Sequence, residues 1–235
     1  MIKGQRVVLA IDTASPEASV AIEVGNDLHE RRWLIETTVS RELLAEVETL
    51  LSEAGVGRDA LDAMAICTGP GSYGGLRAGI ATAQGMALAL DVSLAAVGRF
   101  EADAALYLPS AAAGRPVIAV HQAGRARLGW AAYTCPADAE LPVELVPPTM
   151  SSAEECAQQA PAGAIWCGEL SEELDTARAA AGRDGDAIAL AADHSRATAI
   201  LELARKRYSY DDPALADAIY LRPPAITPPK ATPTP

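Results

Sequence analysis

Residues 7–11, Val-Val-Leu-Ala-Ile, are apolar without interruption and predict a strand buried on both faces. A turn cluster follows at Asp12-Thr13-Ala14-Ser15-Pro16, and alternation over 19–24 predicts a second strand, antiparallel to the first. Residues 31–36 predict a third. Leu43, Leu44, Val47, Leu50, Leu51 and Ala54 then recur at helical spacing, with Ser40 as the expected N-cap and Gly55 as the stop. Residues 63–67 predict a short apolar strand, 76–90 a helix carrying the small residues Gly79, Ala83, Gly85 and Ala87, 92–97 a strand and 100–108 a helix. The chain loosens at 109–115. Strands are predicted next at 117–120, 129–135 and 164–167, a loop-rich stretch at 136–148, and helices at 152–160, 172–181 and 195–208. The six prolines beyond Arg222 predict an extended tail, mobile or lying along a surface. The mixture predicts an α/β fold of two similar lobes, 1–110 and 111–222, the second eroded, with a Pro-rich tail over 223–235.

The most informative stretch is the loop that joins the strand at 63–67 to the next helix. Gly69-Pro70-Gly71-Ser72-Tyr73-Gly74 matches Gly-x-Gly-x-x-Gly, and Gly75 follows. A dinucleotide site also needs an acid at the end of the next strand, yet Asp91 precedes that strand, which ends in Gly98-Arg99. No Gly-Lys-Ser/Thr follows, which excludes a P-loop, and Ser72 has Pro70 where a nucleophile elbow needs glycine. Two readings stay open: a tight strand-to-helix turn with close helix packing, or anion binding at the helix N-terminus through Gly69, Gly71, Ser72, Gly74 and Gly75. The Asp12 turn has two readings as well. It is a surface hairpin turn, or a relative of the Asp-x-Gly-Thr phosphate loop of sugar kinases, from which it differs by lacking the glycine.

Charge and chemistry narrow the function. The formal net charge of −12, with no Lys/Arg run, argues against direct nucleic-acid binding. The four cysteines and three histidines are scattered, so neither a metal site nor a catalytic constellation is expected. The apolar run at 7–11 is too short for a signal peptide, and no membrane span is expected, so a cytoplasmic protein is predicted. Half of the residues are hydrophobic but only 4% are aromatic, which predicts a core of small side chains.

Ile11-Asp12-Thr13-Ala14, Ser40-Arg41-Glu42-Leu43-Leu44 and the loop from Gly69 to Gly79 together resemble the TsaB (YeaZ) family. That family's loop reads Gly-Pro-Gly-Ser-Phe-Thr-Gly-Leu-Arg; here Tyr73 replaces Phe and Gly74 replaces Thr. Tyr220-Leu221-Arg222 is similar to the family's closing Tyr-Leu-Arg. Val39 stands where many members carry His, and Gln122-Ala123-Gly124-Arg125 where an Asp-Ala-Arg segment is usual. The resemblance implies an actin-like, ribonuclease H-like ATPase-type fold and a non-catalytic subunit of the tRNA threonylcarbamoyladenosine machinery. Its partners would be a TsaD-type transferase, which holds the metal, and a TsaE-type ATPase, with tRNA reached only indirectly. The family's pairing, with TsaD or with itself, places the interface on the helices at 40–54 and 76–90. The expected contact residues are Leu43, Leu44, Val47, Leu50, Leu51, Leu76, Arg77, Ile80 and Ala83. No cofactor is expected beyond ATP or ADP at that interface. The enzyme alternative is a small ATP-binding or peptidase-like protein of the same fold class.

Overall fold

The computed structural model describes residues 6–221 apart from 113, 125, 126 and 191. The proline-rich stretch 223–235, Arg125 and Arg222 lie outside the described residues.

The first series of elements is β1 (Val8–Asp12), β2 (Glu17–Val24), β3 (Asp27–Leu34), α1 (Val39–Glu53), β4 (Ala63–Cys67), α2 (Tyr73–Leu90), β5 (Ser93–Val97) and α3 (Arg99–Ala105). The second is β6 (Val117–Gln122), β7 (Leu128–Thr134), β8 (Val143–Ser151), α4 (Ala153–Gln159), β9 (Ile165–Gly168), α5 (Glu172–Ala180), β10 (Ala187–Ile188) and α6 (Arg196–Arg207). The first sheet has the order β3-β2-β1-β4-β5, and the second repeats it as β8-β7-β6-β9-β10. In each, the first three strands are antiparallel and the last two run parallel to the first. Val8 pairs with Ala63 as Val117 pairs with Ile165, so Asp12 and His121 hold equivalent positions. By the same register Leu94 in β5 corresponds to Ile188 in β10. This duplication is the actin-like, ribonuclease H-like architecture, and the second lobe is the eroded one, with α4 and α5 shorter than their counterparts α1 and α2 and a last strand of two residues.

Alternation along the strands decides what covers each face. Leu9, Ile11, Ile22, Met64 and Ile66 point to α1 and α2. Val8, Ala10, Ala21, Ala63 and Ala65 point the other way, and these small side chains let a helix settle close to the sheet. The helix that does so is α6, from the end of the chain, through Ala197, Ile200, Leu201 and Ala204. In turn α3 places Phe100 and Ala104 against Val117, Ala119 and Ala131 of the second sheet. Each lobe thus lends its third helix to the other, and α3 and α6 together line the seam. The outer face of the second sheet is closed by α4 and α5.

Three local expectations are corrected. The loop-rich stretch at 136–148 contains most of β8; Pro147 and Pro148 sit in this edge strand at the place where its register against β7 slips, between the pairs Trp130–Thr149 and Ala132–Val146, so neither proline has to supply a ladder N–H. The two-residue β10 is too short to leave a periodic signal. Ser40 is inside α1, whose N-cap position is Thr38 without a side-chain cap. Glu42 instead folds back and accepts hydrogen bonds from the backbone of Glu36 and Thr37 and from the Thr37 hydroxyl.

Candidate functional site

The loop after β4 is shaped by contacts within the chain. Gly69 has φ +96°, a backbone conformation that disfavours any side chain. A Cβ on Gly71 or Gly75 would overlap the carbonyl oxygens of Ala14 or Thr13, and one on Gly79 would overlap the Thr13 hydroxyl. These three glycines therefore let α2 rest on the Asp12–Ala14 turn. Two hydrogen bonds fix the contact: the Ser72 amide donates to Ala14 O at 2.8 Å, and Thr13 Oγ1 donates to Gly75 O at 2.9 Å. Ser72 also caps α2 by accepting from the Gly75 amide at 3.3 Å. Gly74 alone of the four glycines Gly69, Gly71, Gly74 and Gly75 has open space around its Cβ position.

The two helices thought to carry an interface divide into two faces. Leu43, Val47, Leu50, Leu51, Leu76, Ile80 and Ala83 are all buried in the first lobe, most of them between α1, α2 and the sheet. Their expected place at a partner surface is corrected: the apolar stripe is consumed by the chain's own core. Leu44 and Arg77 face solvent. With Leu44, the residues Ala45 and Glu48 form the outward stripe of α1, and Tyr73, Arg77, Ala81, Gly85 and Leu88 form that of α2. Leu88 is 63% exposed and Leu44 47%. Arg77 lies over the Tyr73 ring and donates to the Tyr220 hydroxyl at 3.2 Å.

On the other side of the first sheet, a cleft of about 690 Å³ separates the lobes. Asp12, fully buried at the end of β1, is ion-paired to Arg196. Arg196 also donates to Asp103 through Nε at 2.6 Å. Asp103 reaches Arg99 at 3.4 Å, and Arg99 reaches Glu169 at 2.5 Å. His121 Nδ1 sits beside this pair, 2.8 Å from Arg99 Nη1 and 2.9 Å from Glu169 Oε2. The chain of charges crosses from one lobe to the other. It follows the duplication: Arg99 opens α3 and Arg196 opens α6, and each meets the residue at the end of an equivalent strand, His121 or Asp12. Burial opposes the charge on Arg196, but Asp103 and Asp12 outweigh it and raise its pKa well above the ordinary value. Burial likewise opposes ionisation of Glu169, but His121 and the Arg99 guanidinium hold its carboxyl well below the usual range. Burial, reinforced by Asp12, pushes the Cys67 thiol well up, so it is no nucleophile.

This network was missed from the sequence, although a signal exists. A cation at the first position of a helix opposes the helix dipole. Gly98-Arg99 and Ser195-Arg196 both carry one. Among the described residues, no three His, Cys, Asp or Glu side chains come together as a metal site would need, and no helix is long and apolar enough to cross a membrane.

Comparison with known proteins adds the following. The family model described as TsaD, tRNA N6-adenosine threonylcarbamoyltransferase, matches residues 36–138. The tRNA threonylcarbamoyladenosine biosynthesis protein TsaB of Haemophilus influenzae is 31% identical over 97 residues, 41% of each chain. The tRNA N6-adenosine threonylcarbamoyltransferase of Anaeromyxobacter sp. is 34% identical over 136 residues, covering 50% of this chain and 40% of that protein. The chain thus spans about two fifths of the length of these curated relatives. The solved structure of YeaZ from Pseudomonas aeruginosa superposes with a TM-score of 0.74 at 25% identity, covering 92% of this chain and 100% of that one. Component A of the (R)-2-hydroxyglutaryl-CoA dehydratase of Acidaminococcus fermentans shares the fold alone, with a TM-score of 0.50 at 10% identity.

Proposed function

Because the chain belongs to the TsaB (YeaZ) family, we propose that it serves tRNA threonylcarbamoyladenosine biosynthesis as a non-catalytic subunit that binds and supports a TsaD-type transferase. The observation that carries the non-catalytic part is the Asp12–Arg196–Asp103 link. A carboxylate at the end of the first strand could serve as a metal ligand or general base only if free to change partners. Here it is buried against a guanidinium that a second carboxylate also holds, and taking one member away leaves an unpaired buried charge.

The partner surface in this reading is the outward face of α1 and α2, with Leu44, Arg77, Ala81, Gly85 and Leu88 as contacts. Exposed Gly74 and Gly85 have nothing within reach of an added Cβ, so a partner helix can approach the α2 backbone closely. The same reading assigns ATP or ADP only to the partner interface, gives the TsaE-type ATPase a place in the assembly, and leaves tRNA contact to more basic partners, since this chain carries −12.

The test is reconstituted tRNA modification with purified TsaD-type and TsaE-type proteins. Product should require this chain and survive Asp12→Asn, while Leu88→Glu should abolish both co-elution with the transferase and product. Loss of product in Asp12→Asn with intact folding and co-elution would instead favour an enzymatic role for the cleft.

A further inference from the structure

The duplication allows one edge of the molecule to be read against the other. In the first lobe the outer edge of β5 is covered by the chain itself. Leu94 and Asp211 exchange two backbone hydrogen bonds, each 3.1 Å, as an isolated antiparallel bridge. Pro213, two residues on, is buried, and Gln84 Nε2 on α2 pins the segment by donating to Pro213 O at 3.0 Å and Ala216 O at 2.9 Å. Leu94 is 2% exposed.

Ile188 holds the equivalent position in the second lobe and is 50% exposed. Ala187 donates to Ala164, just before β9, and Ala189 to Trp166 on β9, so Ile188 between them turns its own N–H and C=O outward. Beside this edge runs a groove of about 560 Å³. Leu106, Pro109, Ile188 and Leu190 line it, and Asp193 and Glu202 make its acidic part; among the described residues, no Lys or Arg is in its lining.

We propose that the outer edge of β10 and this groove are a docking site for an extended segment, and that the segment is residues 222–235 of the same chain. Two observations favour this occupant. Residues 222–235 contain no acid, and Lys230, the cation whose tether is long enough to reach the groove, complements Asp193 and Glu202. The run Lys230-Ala231-Thr232-Pro233 offers three backbone donors and then a proline two residues after Ala231, the spacing that Asp211 and Pro213 use on β5. The length suffices too. Leu221 packs at Gly129 and Phe100, beside the His121 end of β6, whereas the groove begins at Ile165, in register with Val117. Four residues along a strand and three strand spacings across put these places roughly 20 Å apart. Nine residues from Leu221 to Lys230 reach about 30 Å when extended.

The test is amide hydrogen exchange, read by mass spectrometry, on the full chain and on a chain ending at Leu221. The amides of Ile188 and Leu190 should exchange about tenfold faster in the shortened chain, while those of β6 and β9 stay unchanged. A synthetic peptide of residues 222–235 should bind the shortened chain and restore protection, and Lys230→Glu in the full chain should weaken it. Equal exchange in both chains, or no binding of the peptide, would overturn the proposal. Protection that rises with protein concentration would overturn it as well, by assigning the edge to a second copy.

Discussion

Arg196, the first residue of α6, forms an ion pair with Asp12, the last residue of β1, across 184 positions of sequence. The pair ties the end of the chain to its beginning at the cleft between the lobes. Replacing Arg196 with Met should cost on the order of 3–5 kcal/mol, because Asp12 stays buried without its partner. Adding Asp12→Asn should recover part of that loss. Urea unfolding of the two single variants and the double variant measures the coupling; additive losses would mean that the two residues do not act as a pair.

The glycines of α2 should separate into two groups. Gly75→Ala and Gly79→Ala drive a methyl into the Thr13 carbonyl or hydroxyl and should destabilise by about 1–3 kcal/mol. Gly74→Ala and Gly85→Ala meet nothing and should stabilise the isolated chain by up to about 1 kcal/mol. Melting temperatures decide this. In the proposed assembly, the second group should weaken binding of the transferase, measured by calorimetry, even as the chain itself becomes more stable.

The buried stripe of α1 cannot report on a partner. Leu50→Asp puts a carboxylate at a fully buried position and should leave no cooperative unfolding transition. Leu44→Glu, six residues away on the same helix but facing solvent, should leave the transition within about 0.5 kcal/mol of the parent. Circular dichroism during heating distinguishes the two outcomes.

Acid should loosen the contact between β3 and the start of α6. Glu30 accepts from the Ser195 amide at 2.8 Å and the Thr198 hydroxyl at 2.5 Å. Burial works against its ionisation, but the hydrogen bonds from Thr198, Ser195 and Arg32 outweigh burial and bring its pKa from 4.5 down to about 2. A depressed carboxylate contributes its stability in full above the unfolded value near 4.5 and loses it as pH falls toward 2. Glu169 acts in the same direction. The urea midpoint should therefore decline below pH 4.5, and less steeply in Glu30→Gln. Parallel declines in both proteins would count against this assignment.

Most elements were legible because their signals are local. The unbroken apolar runs at β1 and β4, and the periodicity and Gly55 stop of α1, belong to residues near one another in sequence. What escaped depends on pairing across distance. β8 reads as a loop because two prolines obscure it, and its place at the sheet edge together with the register slip against β7 reconciles them with a strand. The stripe Leu43, Val47, Leu50 and Leu51 is visible in sequence, but whether it faces a sheet or a partner is not, since both want the same apolar residues. The glycine loop shows its need for close approach, yet the approaching group, Thr13 with Ala14, lies some sixty residues upstream. The charge network is further still from view, because Asp12, Asp103 and Arg196 share no local pattern.

The exchange of α3 and α6 bears on how the chain comes into being. A ribosome delivers the first sheet long before α6, which its inner face of alanines and valine requires. Until residue 207 has emerged, that face has no cover, and the first half waits in an unfinished state. Severing the chain near residue 111 should accordingly give two fragments that are each insoluble or molten alone but assemble when mixed.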